Sequence, residues 1–242
     1  VVIPVFNEAE NILRTLSELD RHLPVSAVAY VVYDFPEDST LTVLPQFQSS
    51  RLEVRPCLNE FGGGALNAIK WGLAIAREEA VLVVMGDLSD DLASLGPMWE
   101  KFNGGWDVVC GSRYMKGGRQ IGAPWLKGHL SRWAGLSLRL LTGIPTHDVT
   151  NSFKLYRRAV LEQITLESSG GFEVGMEIVI KAWASGFRVC EVPTIWRERD
   201  AGGSRFRLWA WLPNYLRWYL YGLYQGIFYR RSLTSPEAEE NR

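Results

Sequence analysis

An α/β fold with a mostly parallel sheet covered by helices on both faces is predicted by three features of the sequence. Short runs rich in Val, Ile, Leu and Tyr alternate with amphipathic segments. The runs are apolar almost throughout, as strands buried on both faces must be. Most of them end in Asn, Asp, Glu, Ser or Arg, and in such sheets ligands gather at the carboxyl ends of the strands.

Taken in order, VVIPVF is the first strand, ending at Asn7 and Glu8, and ENILRTLSELDRHL is the helix after it. AVAYVVYDF is the second strand and presents Tyr33, Asp34, Glu37 and Asp38; a helical stretch with Leu41 and Leu44 leads to the third, LEVRPCL. In NEFGGGALNAIKWGL three glycines precede a helix, where bare backbone and unpaired amides suit an anion. The Lys-Ser/Thr pair of a Walker loop is missing, and a plain turn is the competing reading.

VLVVMGDLSDD is a buried strand that ends in acids. Asp87 reads either as a ligand for a hard divalent cation or as a helix cap, whereas Asp90 and Asp91 read as caps for LASLGPMWEKF. WDVVCGSRY ends in Ser112 and Arg113. Residues 121–165 read as helices around the loop THDVTNSF. EVGMEIVIKAWASGF keeps helical spacing through Val174, Ile178, Val179 and Ala182, and RVCEVPTIW is the last strand.

With 242 residues and 47% hydrophobic content the chain buries a full core. Twenty-six Lys and Arg against 27 Asp and Glu leave a net charge of -1, so no global field draws nucleic acid, and any anion site is local. Cys57, Cys110 and Cys190 lack the short spacings of a zinc or redox pair and read as buried thiols in a reducing compartment. His22, His129 and His147 are scattered, so the chemistry rests on Asp, Glu and Arg. The chain opens on Val1 already inside a strand-like run, and residues are expected to precede it.

The C-terminal part is different. Arg197, Arg199, Arg205, Arg207, Arg217, Arg230 and Arg231 stand against Glu198 and Asp200, and guanidinium groups grip phosphate oxygens two at a time. A solvated charged loop is the simpler alternative. Tyr215, Leu216, Tyr219, Leu220, Leu223, Tyr224, Ile227 and Phe228 form one broad apolar helical face, while Pro213 and Arg217 interrupt the run of about 20 apolar residues that a spanning helix needs. An interfacial helix lying in a membrane surface fits this pattern, with a helix docked on its own domain as the alternative. The expected organisation is a domain over residues 1–207, a membrane-interfacial segment over 208–231 and a disordered polar tail over 232–242.

Read together, VVIPVFNEAENI, VVYDFPEDST, FGGGALNAIKWGL, VVMGDLSDD, VVCGSRYMKGG, DVTNSFKLYRRAVLE, FEVGMEIVIKA and EVPTIWRERDAGGSRFRLWAWLPNYLRWY closely resemble the inverting family 2 glycosyltransferases, in particular the dolichyl-phosphate or polyprenyl-phosphate mannose synthase type. The resemblance implies a GT-A nucleotide-sugar-binding fold. It places Pro4, Phe6 and Glu8 around the base and ribose, Asp34 on the base, Gly64 on the donor side and Asp87 on Mg or Mn. Arg113, Arg199, Ser204 and Arg205 fall at donor and acceptor phosphates, and Asp148 and Glu177 at acidic positions near the sugar and acceptor. Tyr33 and Met85 stand where the family often has a first Asp, so Ser89, water and phosphate oxygens are left to complete the metal shell.

The implied reaction moves a hexose, mannose or glucose, from a GDP- or UDP-linked donor to a polyprenyl phosphate. It would take place at the cytoplasmic face of a membrane, by a peripheral enzyme with no nucleic-acid partner. Two alternatives stay open: a hydroxyl acceptor, which needs a carboxylate base such as Asp148, and a non-catalytic nucleotide-sugar-binding relative. A sugar-phosphate nucleotidyltransferase leaves the basic, aromatic end without a purpose.

Overall fold

The computed structural model describes residues 1–122, 124–198 and 208–229. In chain order the elements are β1 (Val2–Pro4), α1 (Ile12–His22), β2 (Ala27–Tyr33), α2 (Thr40–Val43), β3 (Leu52–Leu58), α3 (Ala65–Ile75), β4 (Ala80–Val83), α4 (Leu95–Asn103) and β5 (Val108–Ser112). They continue with β6 (Arg119–Ile121), α5 (Trp125–Thr142), β7 (Lys154–Arg157), α6 (Arg158–Gln163), α7 (Val174–Ala184), β8 (Val189–Pro193), β9 (Ile195–Arg197) and α8 (Leu208–Tyr224).

Seven strands form one sheet in the order β3-β2-β1-β4-β7-β5-β8, parallel except where β7 runs against β4 and β5. The strand period of two sends alternate residues to opposite cores. Val2, Val81, Val83, Val108 and Tyr156 face the side covered by α3, α7 and α8, while Ile3, Leu82, Val84, Val109 and Leu155 face the side covered by α1 and α4. Both sets are almost fully buried, which is why these strands read as continuous apolar runs. β2 and β4 flank β1 on opposite sides, and the crevice at the carboxyl ends opens there.

Three local expectations change. The stretch KLYR, expected within a helical region, is the antiparallel strand β7; four residues are too few to show a period, and the helix that follows it directly is only six residues long. The helix around Leu41 is a four-residue turn continued by a short 3-10 helix. Of the three thiols, none of which is disulfide-bonded, only Cys110 is fully buried, and burial pushes it up to about 12.

α8 does not present one undivided apolar face. Trp218 is buried, with Tyr215, Tyr219 and Leu223 packed against the core, while Leu216, Leu220, Tyr224 and Phe228 point outward. Arg217 pairs with Glu167 at 2.5 Å on the surface. The helix thus docks on its own domain and keeps an outer apolar stripe. The boundary at residue 207 and the tail 232–242 lie outside the described residues.

α5 lies against the loop that follows it at Gly135, where an added Cβ would stand 2.0 Å from the His147 carbonyl oxygen. Backbone cannot yield cheaply there, so Gly135→Ala should cost about 1–3 kcal/mol. A fall in Tm of about 3 to 10 °C by calorimetry is expected, and an unchanged Tm would show that α5 does not pack this closely.

Candidate functional site

An open cavity of about 1210 Å³ runs along the carboxyl edge of the sheet. One end is built by a mutual clamp between the loops after β1 and β2. The Asn7 amide donates to both oxygens of Asp38 at 3.1 and 3.0 Å, Ser39 donates its amide to Asn7 Oδ1, and Glu8 donates its amide to Thr40 Oγ1 at 2.9 Å. Asn7 takes a left-handed φ of 56°, which suits its residue type. The clamp sets Pro4, Phe6, Glu8, Asp34 and Phe35 along the wall, with the rings of Phe6 and Phe35 edge to face at 5.4 Å. Asp34 accepts from Asn59 Nδ2 at 2.8 Å and from the Gly64 amide at 2.7 Å, tying the glycine-rich loop to β2. The Gly64 amide is therefore committed to Asp34, and the first helical residue of α3 after it is Ala65.

Asp87, Ser89 and Asp90 line the floor beyond β4. Asp87 Oδ1 accepts from the Ser89 amide at 3.1 Å, closing a tight turn in which Leu88 has φ 61°. Such a backbone at a non-glycine residue is costly and persists where the surroundings fix it. Only Asp91 caps the next turn, accepting from the Ala93 amide; Asp90 folds back to accept from the Met85 amide at 2.9 Å. The capping role expected for Asp90 is thus replaced by a place in the cavity, bonded to the amide of the apolar Met85. Burial, and secondarily the neighbouring Asp87, push the Asp90 carboxyl up to about 7. Among the described residues no three Asp, Glu, His or Cys side chains converge as a metal-binding group.

The centre of the wall is an ion pair removed from solvent. Arg113, at the end of β5, donates from Nε and Nη2 to the two oxygens of Asp148 at 2.7 and 2.9 Å, and its amide donates to Asp148 at 3.1 Å. Nη2 also reaches Ser131 of α5 and Thr150. Burial opposes the charge on Asp148, but Arg113 outweighs it and holds the carboxyl below the usual range. Lys154, fully buried under the loop, donates to the carbonyls of Val149 and Asn151.

Arg113 lines the cavity; Asp148 does not, because both its oxygens are spent on the guanidinium. Asp148, expected among the reacting groups, is thus held by Arg113 behind the cavity wall rather than in it. Glu177 is likewise structural: it accepts from the Glu167 and Ser168 amides, the Ser168 hydroxyl and Lys181. Arg199, Ser204 and Arg205 lie outside the described residues.

Sequence reasoning missed the opposite wall. α5 exposes Trp125 (75%), Trp133 (67%) and Leu140 (85%), with Leu126, Leu130 and Leu141 beside them. Leu130 and Trp133 also line the cavity, as do Leu212 and Leu216 of α8, and Ser137 of α5 bonds the Tyr219 hydroxyl at 2.9 Å. An exposed apolar slope therefore descends from the surface to the Arg113 centre. The signal in the sequence was the spacing of Leu126, Leu130, Trp133, Leu140 and Leu141 on one helical face.

The model of the family described as Glycosyl transferase family 2 matches residues 1–165. The polyprenol monophosphomannose synthase of Mycolicibacterium smegmatis is 33% identical over 213 residues, 85% of this chain and 79% of that protein. The undecaprenyl-phosphate mannosyltransferase of Micrococcus luteus is 30% identical over 243 residues, 96% of this chain and 98% of that protein. Among solved structures, glucosyl-3-phosphoglycerate synthase from Mycobacterium tuberculosis with UDP superposes with a TM-score of 0.65 at 15% identity, over 91% of this chain and 78% of that one. At that identity the likeness shows the fold, which is of the GT-A kind.

The displaced titration of Asp90 makes stability depend on pH. Its carboxyl moves from 3.8 to about 7 on folding, so across that window the folded state keeps a proton that the unfolded state has released, and stability falls as pH rises. Asp90→Asn keeps an acceptor for the Met85 amide and removes the charge. With chelator present, its Tm should match wild type near pH 4 and exceed it at pH 8 by an amount equivalent to about 1–3 kcal/mol. Equal values at both pH values would show that the carboxylate is not held at a cost.

Proposed function

The chain belongs to glycosyl transferase family 2 and is a glycosyltransferase, and on that footing we propose that it moves a hexose, mannose before glucose, from a nucleotide diphosphate sugar to a polyprenyl phosphate with inversion. The observation that carries this reading is the continuity of the cavity: its polar centre at Arg113 opens directly onto the exposed apolar slope of α5 and α8. A lipid phosphate needs both at once. A water-soluble hydroxyl acceptor has no use for the slope, and the carboxylate base it would require is not supplied by Asp148.

On this reading Pro4, Phe6, Glu8, Asp34 and Gly64 form the donor end, with Phe35 completing an aromatic wall for the base. Asp87, Ser89 and Asp90 would hold a divalent cation, since an all-oxygen donor set suits a hard ion that keeps waters and takes phosphate oxygens. Solved relatives of the same fold contain UDP with Mn2+ or Mg2+. Such an ion, when bound, neutralises the diphosphate that leaves.

An acceptor phosphate, with a second pKa of about 6, arrives largely ionised and needs no base. Its oxygen bonds to the anomeric carbon from the face opposite the leaving group, the bond from that carbon to the diphosphate oxygen breaks, and no proton moves. The chain's own contribution is to orient and to balance charge. Arg113 serves the acceptor phosphate through the edge not paired to Asp148, with Arg199, Ser204 and Arg205 as further phosphate ligands. Among the described residues no helix is long and apolar enough to cross a membrane. Peripheral attachment at the cytoplasmic face, through the stripe on α5 and α8, fits the access a lipid acceptor requires.

Purified protein with Mg2+ or Mn2+, polyprenyl phosphate and GDP-mannose, UDP-glucose or UDP-GlcNAc in turn should yield lipid-linked hexose from GDP-mannose. No product from any donor would sink the reading. Asp87→Ala should lower kcat by about 10²–10³-fold with the fold retained by circular dichroism; undiminished turnover would remove Asp87 from the donor site. The double variant Trp133→Asp, Leu216→Asp should release the protein from anionic phospholipid vesicles in a sedimentation assay, by roughly tenfold in partitioning. Equal sedimentation would show that the membrane contact lies elsewhere.

A further inference from the structure

β6 and β9 stand apart from the main sheet as a two-stranded parallel ladder with Gln120 opposite Trp196. Alternation along the strands puts Gln120, Trp196 and Glu198 on one face. These three residues line the cavity, whereas Arg119, Ile121 and Arg197 are exposed elsewhere. The ladder is fixed against the donor floor and the main sheet: Arg197 donates its amide to the Ser89 carbonyl at 3.0 Å, Arg119 to Thr194 at 3.0 Å, and Glu198 to Ile121 at 2.9 Å.

Among the described residues, two polar atoms on this face are buried without a hydrogen-bond partner, Gln120 Nε2 and Glu198 Oε2. Gln120 is held at its other end, where Oε1 accepts from the Tyr114 hydroxyl at 2.9 Å, and Tyr114 in turn bonds Ser131 beside Arg113. An unmet buried polar atom is costly, and the cost is greater for a carboxylate. A ligand that meets both must offer an acceptor to the amide and a donor to the carboxylate.

A phosphate offers acceptors and is repelled by Glu198. A flat base is placed at the far end, by Phe6 and Phe35. A hydroxyl is both donor and acceptor, and a pyranose carries several around a ring whose C–H face suits the Trp196 side chain. We propose that the Gln120–Trp196–Glu198 face is the subsite for the transferred hexose, an inference that rests on the glycosyl-donor reading above. It assigns sugar recognition to the ladder, beside the floor formed by Asp87 and Ser89 and within reach of the network around Arg113.

The test is saturation-transfer NMR on the full chain in Mg2+ buffer with GDP-mannose and with UDP-glucose, supported by calorimetric titration of the same donors. Gln120→Glu keeps the acceptor for Tyr114 and removes the donor, and Glu198→Gln removes the charge at constant shape; unchanged Tm in either reports an intact fold. In the wild type both base and hexose protons should be enhanced. In both variants the hexose enhancement should fall at least about threefold relative to the base, with donor affinity about tenfold weaker and affinity for GDP or UDP alone unchanged. Hexose enhancement that is absent in the wild type, or equal in wild type and variants, overturns the subsite alone. Binding of neither nucleotide overturns the donor reading and the subsite with it.

Discussion

The buried pairing of Arg113 with Asp148 is the constraint on which the site depends. Taking both charges out of water costs several kcal/mol per ion, and their attraction roughly repays it, so such a pair contributes little net stability while fixing geometry tightly. Here one guanidinium binds the end of β5, the loop after α5 through Asp148 and Thr150, and α5 itself through Ser131. Tyr114 extends the same network to Gln120 on β6. Loops that would otherwise drift apart over the strand ends are held by a common charge. Lys154 supports the loop from beneath by taking two of its carbonyls.

That arrangement lets α5 serve two environments. Its inner side approaches the loop so closely at Gly135 that no side chain fits, and Ser131 there bonds Arg113. Its outer side carries Trp125, Trp133 and Leu140 in the open. α8 repeats the division, with Trp218 inside and Leu216, Leu220 and Tyr224 outside. A wall of the cavity and the start of an apolar surface are therefore the same two helices. A substrate with a charged head on an apolar chain can follow them without leaving either environment.

Much of this was legible in the sequence, because burial on both faces writes strands as unbroken apolar runs and places polar residues after them. Pro4, Phe6, Glu8, Asp34, Asp87 and Arg113 all come together in the cavity as strand ends should. What escaped was long-range or too short to show a period. β7 has four residues and no alternation to display. Asp90 looked like a cap because capping residues and site residues share a chemistry, and only the fold decides which amide Asp90 meets. Asp148 and Glu177 were placed near the sugar and acceptor by the resemblance alone, and only the structure shows the donors that each of them meets. Gln120 and Glu198 carried no signal of their own, since an unmet hydrogen bond exists only once neighbours are known.

The acids at the end of VLVVMGDLSDD acquire their meaning from charge balance. Among the described residues the cavity is lined by Glu8, Asp34, Asp87, Asp90 and Glu198 against the single guanidinium of Arg113, whose charge Asp148 already offsets. A diphosphate entering such a wall meets repulsion that a dry, low-dielectric site magnifies. Positive charge must therefore arrive with the donor or from the chain beyond β9, where Arg199, Arg205 and Arg207 follow in sequence. On the proposed reading, a divalent ion at Asp87 would meet the first requirement and the arginine segment the second. The resemblance leads one to expect an acid at position 85, where this chain has Met85, and the Asp90 carboxylate is drawn back to the Met85 amide beside it. Which acids line the floor is thus a property of the folded turn, and counting the motif along the chain misses it.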